Sequence, residues 1–252
     1  MINMRKHIFN ENFFETIDSE DKAYWLGFIC ADGYINKRGN TVAITLDIKD
    51  QDYLKKFLGV INSNLMKLDF RKGQYSPDHK FTDKVFVNLY SNKMNSDLRK
   101  LGITENKSKN LKKLVLNLDA DLTRHFIRGY FDGDGCVFDS YIKYGKLKEK
   151  KCYSPGFTFV GTKEFLDYIN FSLPITVKNL TKDKRTQGSY TLYIRSMKRF
   201  KIIENYLYDN SSIYLERKKK KCEEIKSLIE KSSTTMTEMS VESSDSKWRT
   251  SF

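Results

Sequence analysis

Apolar positions recur along this chain in two periods. From Thr41 to Lys49, Val42, Ile44, Leu46 and Ile48 alternate with Thr41, Ala43, Thr45 and Asp47, the period-two pattern of a half-buried strand. Tyr-Ile-Asn before it and polar Lys-Arg-Gly-Asn between them predict a β-hairpin. The period then changes. In DQDYLKKFLGVINSNL the apolar residues fall at 53, 54, 57, 58 and 61, one face of a helix. KLDFRKGQYS and KVFVNLYSN predict a second hairpin, and MNSDLRKLGI a short helix.

The same order returns. VFDSYIKY with PGFTFVGT reads as a hairpin, TKEFLDYINFSL as a helix, TVKNLTKDK with SYTLYIRS as a hairpin, and MKRFKIIENYLY as a helix. Each half also opens on a similar aromatic-rich helix, AYWLGFICADGYI (Ala23 to Ile35) and HFIRGYFDGDGCV (His125 to Val137). The Asp-Gly pairs of these two segments stand 102 residues apart (134 − 32). The predicted fold class is therefore α+β, two pseudo-symmetric αββαββα units. The first unit spans 1–110 and the second 111–222. The join, Thr104 to Leu118, is basic and partly irregular. Residues 223–252 comprise a helix end and, beyond Lys231, a Ser/Thr-rich tail expected to be flexible.

Within each opening helix a pair of very small residues shares one face: Gly27 with Ala31, and Gly129 with Gly133. Glycine inside a helix costs about 1 kcal/mol relative to alanine, so such stripes predict close backbone approach, each helix against the other. Asp32 and Asp134 then sit in the last turns, with Gly33 and Gly135 suited to left-handed helix caps. Carboxylates there face the negative end of the helix dipole, and parallel packing sets them against each other. A divalent cation such as Mg²⁺ removes both objections. Two carboxylates related by a pseudo-dyad suit metal-assisted hydrolysis of a duplex, whose strands are dyad-related too.

Composition narrows the partner. With 45 Lys+Arg against 32 Asp+Glu, the formal charge is +13, a field that favours a polyanion. No stretch is apolar for roughly 18 residues and the N-terminus has no signal-peptide core, which disfavours membrane insertion and secretion and points to the cytoplasm or an organelle matrix. Cys30, Cys136, Cys152 and Cys222 show no zinc spacing. His7, His79 and His125 are isolated, so phosphodiester chemistry would rest on carboxylates and metal.

At these residues the chain resembles the LAGLIDADG homing endonuclease family in its single-chain, two-motif form. Trp25-Leu-Gly-Phe-Ile-Cys-Ala-Asp-Gly33 and Ile127-Arg-Gly-Tyr-Phe-Asp-Gly-Asp-Gly135 align with the nine-residue motif, and YLYDNSSIYLERKKKK resembles the end of many family domains. The first copy departs at Cys30, where many members carry an acid. The resemblance implies motif helices at a central interface, antiparallel sheets forming a DNA saddle, and a monomer with an internal pseudo-dyad. It implies a Mg²⁺ site formed by Asp32 and Asp134 together with Gly33 and Gly135. It further implies a basic residue beyond the third helix of each half, matched best by Lys107 and Lys218, with Lys109 and Arg217 as competitors. Lys49 and Thr162 are candidates to hold active-site water.

The polar strand faces offer Asn36, Arg38, Lys49, Arg71, Asn88, Tyr90, Lys178, Lys182, Tyr193 and Arg195 for contacts to double-stranded DNA. Expected function is a site-specific double-strand break that promotes mobility of a host intron or of the gene itself. An RNA maturase acting on intron RNA and a DNA-binding regulator on the same scaffold are alternatives, which retention of both acids disfavours. An intein is not expected, because the chain starts with Met and lacks a terminal His-Asn.

Overall fold

The computed structural model describes residues 7–245 except 37–39, 65–67, 74, 77–78, 81, 112–113, 115–117, 145–149, 179 and 185. The first half runs α1 (Glu20–Asp32), β1 (Gly33–Ile35), β2 (Thr41–Asp47), α2 (Gln51–Val60), β3 (Asp69–Arg71), β4 (Tyr75–Ser76), β5 (His79–Lys80), β6 (Lys84–Tyr90) and α3 (Asn92–Lys100). A short helix, α4 (Lys107–Asn110), lies in the join. The second half runs α5 (Ala120–Asp134), β7 (Cys136–Phe138), β8 (Tyr141–Tyr144), β9 (Lys150–Tyr153), β10 (Gly156–Gly161), α6 (Lys163–Ser172), β11 (Thr181–Lys182), β12 (Tyr190–Arg195) and α7 (Met197–Tyr208), followed by α8 (Glu216–Asp245).

The internal repeat is a repeat of topology. The main sheets have the orders β1-β2-β6-β3 and β7-β10-β12-β11, so in each half two hairpins join through their second strands, all antiparallel. The alternation in β2 is realised in part: Val42, Ile44 and Leu46 are buried, with Ala43 between the first two also covered, and the four apolar α2 positions with Ile61 just beyond them close over the strand. In the second sheet Phe157, Phe159, Leu192 and Ile194 do the same work. Among the described residues each main sheet thus has one face in the core and one free of helices, on which Tyr90 and Tyr193 are exposed.

Two hairpins differ from the sequence expectation. Only Val137 and Phe138 of the VFDSYIKY segment, with Cys136 before them, pair with β10; 141–144 turns away after Asp139-Ser140 and pairs with β9 as a separate two-stranded ribbon. Likewise β3 ends at Arg71, and Tyr75–Ser76 pairs with β5 instead. Runs of polar and aromatic residues carry no burial signal that separates one long strand from two short ones. The tail also differs. Helix α8 continues to Asp245 rather than giving way beyond Lys231; no glycine or proline interrupts residues 216–245, and Ser and Thr are weak helix formers rather than breakers.

Helices α1 and α5 form the centre of the molecule. Both are capped at their starts, by the Ser19 hydroxyl on Lys22 N and the Asp119 carboxylate on Leu122 N (2.8 Å). They pack in parallel: Tyr24 faces Gly129, Gly27 faces Phe126 and Tyr130, and Ala31 faces Gly133. A Cβ added at Gly27 or Gly129 would overlap the carbonyl oxygen of Phe126 or Tyr24, and one at Gly133 would overlap the Ala31 methyl. The small stripes therefore permit backbone contact, as the sequence predicts.

Candidate functional site

Parallel packing brings the last turns of α1 and α5 to one end of the interface, with Asp32 and Asp134 side by side. The space above Gly133 is bounded at 3.5 Å by Asp32 Oδ2. Asp32 is half-buried and Asp134 opens to solvent. Burial, and then the neighbouring Asp134, push the Asp32 carboxyl up to about 6. Burial also raises Asp134, against the opposing pull of Lys107 and Lys218. Two acids on packed helix ends are thus held where ionisation is costly.

The glycines after the acids serve differently from the sequence expectation. Gly33 and Gly135 have φ of −72° and −77°, extended rather than left-handed. Glycine is required for space: a Cβ would meet Ile29 O at 2.7 Å in one copy and Phe131 O at 2.6 Å in the other. The chain can therefore leave each helix directly into the first strand of its sheet.

Each acid has a lysine close by. Lys107, at the start of α4, donates to the Ala31 carbonyl. Lys218, in α8 and only 5% exposed, donates to the carbonyls of Phe131 (2.6 Å), Asp132 (2.8 Å), Gly133 (3.4 Å) and Gly135 (2.6 Å). Both ammonium groups neutralise helix ends. Burial lowers both, Lys218 to about 8. Arg217 pairs with Asp50 at 3.2 Å and lines the space beside Asp32, whose carboxyl its charge pulls down; the side chain of Lys109 lies outside the described residues.

Beside Asp32 opens a cavity of about 300 Å³, lined by Thr45, Lys49, Asp50, Lys84, Asp132 and Arg217 among others. Lys49 is exposed there. Thr162 is committed to the fold, donating to the Leu111 carbonyl and capping α6 at Phe165 N. Among the described residues no cluster of three or more His, Cys, Asp or Glu side chains could hold a metal ion.

The helix-free sheet faces hold most of the remaining candidates. Arg71, Lys84, Asn88 and Tyr90 share one face, as do Thr158, Thr191, Tyr193 and Arg195 on the other sheet. Arg195 lies over the Phe138 and Tyr193 rings at 4.9 and 5.7 Å. Three candidates are placed otherwise. Lys182 pairs with Tyr190, so it stands on the opposite face of its sheet from Tyr193. Lys178 lies between elements. Asn36 organises the β1–β2 turn, its Oδ1 accepting from the Asn40 and Thr41 amides. Arg38 lies outside the described residues.

Sequence reasoning missed a buried polar layer behind the acids. Asp132 accepts from the Tyr24 and Tyr208 hydroxyls (2.7 and 2.9 Å) and from Leu215 N (2.8 Å). Arg128, fully buried, donates to the Ile213 and Leu207 carbonyls and to Glu20. A charged residue on the apolar side of a motif helix is the signal that marks both. No helix among the described residues is long and apolar enough to cross a membrane.

No family model matches the chain. Among curated proteins it is 29% identical over 117 residues to the DNA-directed RNA polymerase subunit Rpo1C of Methanocaldococcus jannaschii, covering 46% of this chain and 13% of that protein. It is 28% identical over 130 residues to the replication factor C small subunit of the same organism, covering 52% and 6%. The chain thus corresponds to a small part of either relative. Among solved structures, it superimposes on the I-LtrWI LAGLIDADG homing endonuclease bound to target DNA with a TM-score of 0.59 at 14% identity, covering 87% of this chain and 92% of that one. For the LAGLIDADG meganuclease I-CpaMI bound to uncleaved DNA the TM-score is 0.55 at 14% identity, covering 88% and 96%. The paired motif helices and twin antiparallel sheets of this chain are the fold of the LAGLIDADG homing endonucleases.

Proposed function

We propose that the chain is a site-specific DNA endonuclease that makes a Mg²⁺-dependent double-strand break in a long duplex target, promoting mobility of a host intron or of its own gene. The observation that carries this reading is the pair Asp32 and Asp134, held together at the ends of two parallel helices with a lysine beside each, partly buried Lys107 and buried Lys218. The donor set fits Mg²⁺, which takes one or two carboxylates and completes its shell with water and phosphate oxygens. Asp32 and Asp134 would hold it; the Gly135 carbonyl already accepts from Lys218. When bound, such an ion lowers the pKa of water and stabilises charge on a phosphate.

The chain's own residues do the rest. Lys107 and Lys218 are tethered by helix-end carbonyls, so their positive charge stays beside the acids without reorganisation. Arg71, Asn88, Tyr90, Tyr193 and Arg195 present donors, acceptors and rings on the helix-free sheet faces, suited to phosphates and base edges. The net charge of +13 favours association with duplex DNA. Incubation with Mg²⁺ and a library of duplex targets should give discrete double-strand cuts. Wild-type cutting by Asp32→Asn or Asp134→Asn protein would overturn the assignment.

A further inference from the structure

The two halves hold their lysines differently. In the first, Lys107 starts a four-residue helix and bonds one carbonyl, Ala31 O. In the second, Lys218 bonds four carbonyls at the end of α5. The segment that delivers Lys218 is itself tied down. Leu215 caps α8, its carbonyl accepting from Lys218 N (2.9 Å) and Lys219 N (3.2 Å). Its amide donates to Asp132 Oδ2 (2.8 Å). Asp132 is 1% exposed and has both oxygens occupied, by Leu215 N, Tyr24 and Tyr208. Just upstream, Glu20 accepts from Ser212 N (2.9 Å) and Oγ (2.8 Å), and Arg128 donates to the Ile213 carbonyl (2.9 Å). The position equivalent to Asp132 in the first motif is Cys30, a buried thiol that offers no such acceptor.

We propose that Asp132 is a positioning residue that clamps the first turn of α8, and with it Lys218, onto the active-site end of α5, so that one of the two strand cleavages depends on a latch the other lacks. A buried carboxylate whose oxygens take three donors from α1, α7 and the α8 cap is over-determined for packing alone. Its Leu215 bond lies three residues from the Lys218 ammonium, and displacing a reacting group by about 1 Å can cost on the order of 100-fold in rate. Among the described residues the Lys107 segment has no counterpart bond at Cys30; it is held instead through Glu105, paired with Arg99 at 2.9 Å.

The strand-specific part rests on the nuclease reading; the latch does not, and the test separates them. Asp132→Cys makes the second motif match the first, whose thiol the fold already accommodates, and Tyr208→Phe removes a single donor as a milder variant. Amide hydrogen exchange is measured without metal or DNA on peptides covering 213–222 and 120–131. Exchange in 213–222 should rise about 10-fold or more in Asp132→Cys, less in Tyr208→Phe, with 120–131 unchanged. Unchanged exchange in 213–222 overturns the latch. Single-turnover cleavage of a duplex with each strand separately labelled then reads the consequence. Asp132→Cys should slow one strand about 10-fold or more relative to the other, leaving nicked DNA, and it should be the strand most slowed by Lys218→Met. Equal slowing of both strands overturns the positioning role. A wild-type protein that cuts no duplex overturns the nuclease reading, while hydrogen exchange still decides the latch.

Discussion

Gly129→Ala tests the central interface most directly. In a free helix this change is stabilising by about 1 kcal/mol, because alanine loses less backbone entropy. Here the new methyl would overlap the Tyr24 carbonyl oxygen and lie within about 3.0 Å of Phe28 N, both backbone atoms of α1. No side chain can rotate away, so the helices must separate. Overpacking of a core costs about 1–3 kcal/mol, and backbone on the receiving side argues for the upper end. Net of the helix-propensity gain, the variant should lose about 2 kcal/mol, or roughly 4–8 °C in Tm. Gly59→Ala supplies the opposite sign: Gly59 lies in α2 with nothing within 4 Å of an added methyl, so it should gain about 0.5–1 kcal/mol. Urea denaturation of the three proteins at constant m-value measures both. A Gly129→Ala protein as stable as wild type would refute close helix contact as the reason for the glycine.

Other consequences follow from the same geometry. Burial and Asp134 hold Asp32 at about 6, above its unfolded 3.8, so the folded state binds the extra proton between those values. Metal-free stability should therefore fall as pH rises through that window, and Asp32→Asn should exceed wild type at pH 8 by roughly 1–3 kcal/mol. That advantage should vanish near pH 4, as thermal melts in chelator would show. Lys218→Met and Lys107→Met should each lower the cleavage rate by about 100-fold or more with DNA affinity changed little, read by single-turnover kinetics beside anisotropy. Arg195→Ala and Arg71→Ala should each reduce the slope of log binding constant against log salt by about 1. Lys182→Ala, on the opposite sheet face from Tyr193, should change it less; equal effects from all three would place the duplex elsewhere.

Burial periodicity explains how much of this was legible beforehand. Val42, Ile44 and Leu46, or Tyr53, Leu54, Phe57 and Leu58, carry a one-sided apolar signal, and the order of elements follows from it. Gly27, Gly129 and Gly133 were legible because glycine is costly in a helix unless something needs the space. Asp32 and Asp134 were legible as a repeat. Lys182 falls on the opposite sheet face from Tyr193, and a two-residue strand holds no alternation from which that face can be read. Gly33 and Gly135 were assigned to left-handed caps because Asp-Gly is compatible with several exits from a helix, and only the surrounding Ile29 and Phe131 atoms distinguish them. The polar layer around Asp132 joins residues 108, 76 and 83 positions apart, and no local pattern encodes such distances.

The interface joins stability and chemistry in one set of atoms. The small residues at 27, 31, 129 and 133 let α1 and α5 approach at backbone distance, and that approach sets Asp32 beside Asp134. The same approach leaves helix-end carbonyls clustered with two carboxylates, a concentration of negative charge that the fold offsets with partly buried Lys107 and buried Lys218. Asp32 nonetheless remains raised, by its burial first and by Asp134 second. A site built this way gives up stability to keep two acids together, a trade that the proposed cleavage would explain. Substitutions that relieve the repulsion should therefore stabilise the metal-free protein while abolishing cutting, whereas those that widen the helix contact should lose both.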